Sequence, residues 1–195
     1  MNTVAISGAL RSELGKKGAK ADRNEGKIPC VMYGGESNVH FTVTHNDIKS
    51  IVYTADFNVA EITVDGKAYK AILKGYDMHP VTDNITHIDF IELVDGNYVK
   101  VDIPVRFKGE SPGVKLGGKL MQSIRRVTVK TLPENLVDEL FVDISELELG
   151  MAVRVRDIEA PENMQVMNAG ATPVAIVEVP RALRSAAAAA EKAEG

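Results

Sequence analysis

Residues 59–73, VAEITVDGKAYKAIL, constrain the fold more than any other stretch of the chain. Two β-prone runs flank Asp65-Gly66, a dipeptide suited to a two-residue type I′ turn because both turn positions need positive φ. The stretch predicts an antiparallel hairpin. Residues 28–33 (IPCVMY) and 39–43 (VHFTV) predict two more strands, separated by Gly34-Gly35, and residues 85–93 (ITHIDFIEL) alternate as another. Residues 44–53 read as a helix. Thr44 stands at a capping position, Asp47 follows three residues on, and Ile48, Ile51 and Val52 share a face.

Asp95-Gly96-Asn97 is a turn-rich break. Beyond it, VKVDIPVRF (99–107) alternates strictly, with Val99, Val101, Ile103, Val105 and Phe107 on one face and Pro104 on the other; the proline predicts an edge strand. Residues 108–119, KGESPGVKLGGK, read as a long Gly/Pro loop, and further strands fit 124–130, 140–144, 152–156 and 173–179. The Ala run after Pro180 favours helix intrinsically but has no apolar face to bury. The expected organisation is mainly β: a domain over 1–94, a second β-rich domain over 95–182, and an Ala-rich disordered tail over 183–195. A length of 195 residues accommodates two small domains.

A net charge of −4 excludes a uniformly basic nucleic-acid coat protein but not a local basic patch. Residues 1–95 hold 10 basic and 13 acidic side chains, and residues 96–195 hold 13 and 14, so charge does not separate the halves. A single cysteine, Cys30, excludes a disulfide framework and a four-cysteine zinc site, and fits a reduced, cytoplasmic setting. The start of the chain lacks signal-peptide features, and no stretch approaches the ~20 apolar residues of a spanning helix. Neither a targeting leader nor a membrane partner is expected.

The strongest chemical candidate is the segment Arg11–Lys27, RSELGKKGAKADRNEGK, with six basic and three acidic residues. Lys16, Lys20, Arg23 and Lys27 recur at helical spacing, while Asp22 and Glu25 fall away from them. A cationic stripe sorted from the acids suits a phosphate backbone, and Gly15 and Gly18 would let phosphates approach. The competing reading is a solvated loop with ordinary surface charge. In the 85–93 strand, period 2 puts Ile88 and Phe90 on one face and His87 and Asp89 on the other. His79, His87 and Asp89 are too few and too scattered for a metal site, so the polar face is offered to a partner instead. Gly113–Lys119 satisfies part of a P-loop, but Leu120 occupies the position that must be Ser or Thr, so nucleotide hydrolysis is not expected. No serine lies in a nucleophile elbow, and Cys30 reads as a small buried hydrophobe. Neither cofactor nor metal is expected, and no enzyme.

The order Arg11, Gly15-Lys16-Lys17-Gly18-Ala19-Lys20, Arg23, Gly26-Lys27-Ile28-Pro29-Cys30-Val31-Met32-Tyr33-Gly34, then His79-Pro80 and Thr86-His87-Ile88-Asp89-Phe90, resembles the bacterial large-subunit ribosomal protein number twenty-five, the CTC (general stress protein) family that binds 5S ribosomal RNA. Thr131-Leu132-Pro133 and Val142-Asp143-Ile144-Ser145-Glu146-Leu147, with Gly150 and Asp157, resemble the longer family members that carry a second β domain. The resemblance covers about residues 3–180. It departs at Asp22, where the family usually has an apolar residue, and at Ala19 and Ala21, positions often polar or basic.

The resemblance implies a six-stranded N-terminal β-barrel with short helices that docks on 5S RNA through Arg11, Lys16, Lys20, Arg23, Tyr33, His79, His87 and Asp89. A carboxylate on an RNA face can accept from base amino groups or 2′-hydroxyls. It further implies neighbouring large-subunit proteins and RNA as partners, a cytoplasmic, ribosome-associated location, and no DNA. The second domain carries no assignable motif, and its acidic balance suggests contact with protein or solvent. The alternatives are a non-ribosomal adaptor whose β domains bind protein and, more remotely, a hydrolase using dispersed carboxylates.

Overall fold

The computed structural model describes residues 2–161 and 163–180; the Ala-rich tail lies outside the described residues. The chain divides into two compact units, Met1–Val101 with Thr131–Asp138, and Asp102–Lys130 with Glu139–Gly195. No helix among the described residues is long and apolar enough to cross a membrane.

The first unit is a closed barrel of six strands: β1 (Asn2–Leu10), β2 (Lys27–Tyr33), β3 (Val39–Thr44), β4 (Asn58–Val64), β5 (Lys67–Met78) and β6 (Ile85–Glu92). Around the barrel the order is β1-β3-β2-β6-β5-β4. β4 and β5 form the expected hairpin, and Asp65 and Gly66 take φ of 50° and 79°, as a type I′ turn requires. Closure comes from two parallel pairings between distant segments, β1 with β4 (Asn2↔Asn58 to Gly8↔Val64) and β2 with β6 (Cys30↔Ile88 to Tyr33↔Ile91). Cys30, Met32, Phe41, Ile62, Ile88 and Phe90 fill the interior, where the Phe41 and Phe90 rings lie 5.9 Å apart.

Two α-helices pack on the barrel, α1 (Lys16–Asn24) and α2 (His45–Val52). α2 contributes Ile48, Ile51 and Val52 to the barrel core, as its periodicity predicts. Thr44 stands at its N-cap, but the hydroxyl donates to the Asp47 carboxylate (2.7 Å) and makes no bond to a backbone N–H.

Two further sheets lie mainly in the second unit. The first, in order β10-β7-β9-β12, uses β7 (Val99–Lys108), β9 (Arg126–Thr131), β10 (Leu140–Asp143) and β12 (Gln165–Val166). The second, in order β11-β13-β8, uses β8 (Lys119–Gln122), β11 (Ala152–Arg154) and β13 (Pro173–Glu178). Ile103, Val127, Val129, Val142, Val174 and Val177 are fully buried.

The structure differs from the sequence expectation at two places. β7 is an interior strand and Pro104 is buried. The Val105 N–H donates to Arg125 on the β9 side, so residue 104 faces the β10 side, where pairing begins only at Leu140↔Val105. The missing proline N–H therefore falls outside the ladder. Residues 108–119 are also not all loop, because Ser111-Pro112 starts a short helix, α3 (Pro112–Lys115). The Ser111 hydroxyl accepts from Val114 N–H and donates to the Leu147 carbonyl, and Pro112 occupies the first helical position. The Gly113 N–H donates to Leu147 and the Gly118 N–H to Gly113, so this P-loop-like stretch spends both amides internally.

Candidate nucleic-acid interface

α1 carries the basic segment, and its sequence sorts the two faces. Gly18 and Asp22, four residues apart, face inward, while Lys16, Lys20 and Arg23 lie on the opposite side and are exposed. Gly18 serves the protein itself and not a ligand: a Cβ there would collide with the Glu13 carbonyl, so the glycine lets the helix lie against the preceding loop. Glu25 closes the helix, and Gly26 follows in the left-handed region (φ 75°). Lys27 therefore leaves the helical stripe and opens β2, where its ammonium bonds the Glu25 carboxylate at 2.8 Å. That pairing lowers the Glu25 pKa and raises that of Lys27.

Arg11 is placed differently from the other cations. Its Nε donates to Asp22 Oδ2 at 2.8 Å, and its side chain is only 8% exposed. Its Nη2 is buried without a hydrogen-bond partner. Asp22 thus meets the arginine that follows β1 and fastens the inward face of α1.

Arg23 links helix to sheet. Its Nε donates to the Thr86 carbonyl at 2.9 Å, one residue before His87. Along β6, Ile88 and Phe90 are fully buried, whereas His87 and Asp89 are partly exposed on the outer wall and meet at 3.0 Å (Nδ1 to Oδ1). Tyr33, on adjacent β2, is half-buried. Its phenol is pushed above the usual tyrosine range by burial first and by the Asp89 carboxylate second. Cys30, on the inner side of the same strand, is 1% exposed, and burial drives its thiol far up.

His79 sits in a tight turn. Its N–H donates to Asn84 O, and its carbonyl accepts from Asp83 N–H. The Val81 and Thr82 amides both donate to Nδ1 at 3.3 Å. The eight residues expected from sequence thus fall into four places: a cationic helix face (Lys16, Lys20), a helix–strand junction (Arg23) with the nearby His79 turn, an outer barrel wall (Tyr33, His87, Asp89), and an inward clasp (Arg11). Arg23 and His79 share one concavity at the end of the barrel with Lys27 and His45. Sequence reading gave His45 no role; its neighbours there come from three other segments.

The comparisons agree with this architecture in both parts. Residues 6–90 match the Ribosomal L25p family, and residues 98–181 match the C-terminal domain of ribosomal protein TL5. The chain is 42% identical over 192 residues to "Large ribosomal subunit protein bL25" of Cytophaga hutchinsonii, covering 98% of this chain and 100% of that protein. The protein of the same name from Porphyromonas gingivalis is 41% identical, covering 96% of this chain and 98% of its own length. That from Bacteroides fragilis is 39% identical, with 98% and 100% covered. The resemblance carried by the basic segment and the His-Ile-Asp-Phe strand thus extends along nearly the whole chain, which belongs to the bL25 family of large-subunit ribosomal proteins, structural proteins and not enzymes.

Proposed function

We propose that this chain is a constituent of the large ribosomal subunit and that its first unit binds 5S ribosomal RNA. The observation that carries the reading is the Arg23–Thr86 bond, which ties the cationic face of α1 to the strand bearing His87 and Asp89. Lys16, Lys20 and Arg23 supply attraction to phosphates without reading sequence. Tyr33, His87 and Asp89 supply directional donors and acceptors. A protein of net charge −4 needs such local sorting to bind RNA at all. The partners in this reading are 5S RNA and neighbouring large-subunit proteins and RNA, and the location is cytoplasmic and ribosome-associated. The second unit, with no comparable cationic face in its sequence, adds little RNA affinity.

Filter retention of labelled 5S RNA by the full chain tests this across a salt series. Lys16→Glu with Lys20→Glu is expected to weaken retention and to reduce the log–log salt slope by roughly 1–2, the loss of two phosphate contacts. Both side chains are exposed, so circular dichroism should not change. Equal retention and slope in variant and wild type would return the segment to ordinary surface charge.

A further inference from the structure

One concavity at the end of the barrel adjoins the cationic face of α1 through Arg23. It has a volume of about 340 Å³, and its walls include Arg23, Lys27, His45, His79, Thr82 and Asn84. No acidic residue lines it, although the chain carries more carboxylates than cations. Two permanently basic groups and two imidazoles converge there from α1, the start of β2, the start of α2 and the 79–84 turn.

The hydrogen bonding sets what these walls can do. His79 Nδ1 accepts from the amides of Val81 and Thr82, so the ring proton resides on Nε2 and that edge acts as a donor. Arg23 uses Nε on the Thr86 carbonyl, which leaves the terminal nitrogens of its guanidinium to bond elsewhere. The Lys27 ammonium is held only by Glu25, and an exposed pair of that kind is weak and exchangeable. The walls are rich in donors and call for an anionic oxygen ligand. The concavity also begins where the cationic face of α1 ends. Lys16 to Arg23 spans roughly 10 Å at 1.5 Å per residue, so a nucleic-acid backbone following the helix runs into it.

We propose that this concavity, walled by Arg23, Lys27, His45 and His79, binds a phosphodiester group of the RNA backbone. The inference rests on the RNA-binding reading above and adds Lys27 and His45 to the interface as phosphate ligands. It also separates His79 and Arg23, which hold a phosphate, from His87 and Asp89, which face the RNA from the barrel wall.

The test uses the full chain and 5S RNA. Lys27→Gln with His45→Gln should weaken retention about five- to tenfold and reduce the salt slope by about 0.7–0.9, one phosphate contact. Lys27→Arg should stay within twofold of wild type. In an ethylation-interference experiment, at least one phosphate whose modification blocks wild-type binding should stop interfering in the double variant. The Lys27→Gln single variant, expected to lose about half of the slope change or more, provides a second reading should the double variant melt abnormally. If the wild type binds 5S RNA and the variants match it in affinity, slope and interference pattern, the phosphodiester pocket is wrong while the RNA-binding reading stands. If the wild type does not retain 5S RNA, both fall. Free phosphate is the other source of the same chemistry. Saturable shifts of the His45 and His79 ring signals with inorganic phosphate, combined with unchanged RNA binding by the double variant, would overturn the assignment to RNA.

Discussion

Asp89 acts on two neighbours at once. It holds His87 at 3.0 Å and raises the Tyr33 phenol, since a nearby carboxylate disfavours phenolate. Replacing it with Asn removes the second cause of that shift and leaves burial, the first. Spectrophotometric titration of the tyrosines is therefore expected to show the Tyr33 midpoint fall in Asp89→Asn without returning to the ordinary tyrosine value. Stability linked to this phenol is complete below the unfolded tyrosine pKa and is lost as pH rises through the higher folded one, so it bears only on the alkaline limb. The inner face of the same strand answers to packing. Phe90 is fully buried against Phe41, and Phe90→Ala should cost about 3–5 kcal/mol. Asp89→Ala leaves no cavity in the core and should stay within about 0.5 kcal/mol of wild type. Thermal melts of the two variants check the assignment of faces, and equal destabilisation would invert it. These faces were legible from four residues, His87 to Phe90, because strand side chains alternate with a period of two whatever the strand pairs with.

At the scale of elements, α1 depends on a contact that no local pattern announces. Asp22 and Arg11 lie eleven residues apart, on a helix and at the end of a strand region, and meet at 2.8 Å. Removing Asp22 leaves a guanidinium that is 8% exposed without its counterion. Asp22→Ala is expected to destabilise by about 2 kcal/mol, the cost of an unsatisfied buried charged donor. Arg11→Met combined with Asp22→Leu removes both partners and should cost less than the sum of the single changes. A urea-denaturation double-mutant cycle measures the coupling, and strict additivity would show that the pair does not hold the helix. Lys27 shows the same limit of local reading. Its spacing continues the stripe, but Gly26 ends the helix and moves it into β2. β1 escaped the sequence reading because its alternation is short and weak. Of its inward positions only Val4 and Ile6 carry large apolar side chains, since a Cβ at Gly8 would collide with the Phe41 ring (2.7 Å).

For the molecule as a whole, the two family matches flank the Asp95–Asn97 turn, while the division into compact units falls at Val101/Asp102 and groups Thr131–Asp138 with the first. All eight residues that the sequence points to for RNA contact precede that turn. A fragment of residues 1–94 is expected to bind 5S RNA within about threefold of the full chain, a difference below ~1 kcal/mol. Filter retention of both, beside a fragment of residues 96–195, checks this; binding by the second fragment alone would reverse the assignment.

The hairpin at 59–73, the two faces of β6, the core face of α2 and the basic segment could all be read directly from the chain, because turn chemistry, strand period and helix period are written within a few consecutive residues. Closure of the barrel could not. It rests on pairings such as Asn2↔Asn58 and Cys30↔Ile88, and nothing near either strand names its partner. The interior place of Pro104 and the convergence of His45 with His79 follow from such distant pairings, and the inward turn of Arg11 from its contact with Asp22 on α1. In each case the side chain's neighbours lie beyond the reach of helix or strand period, from eleven residues away for Arg11 to more than thirty for His45 and His79, and its role is settled only by the tertiary fold.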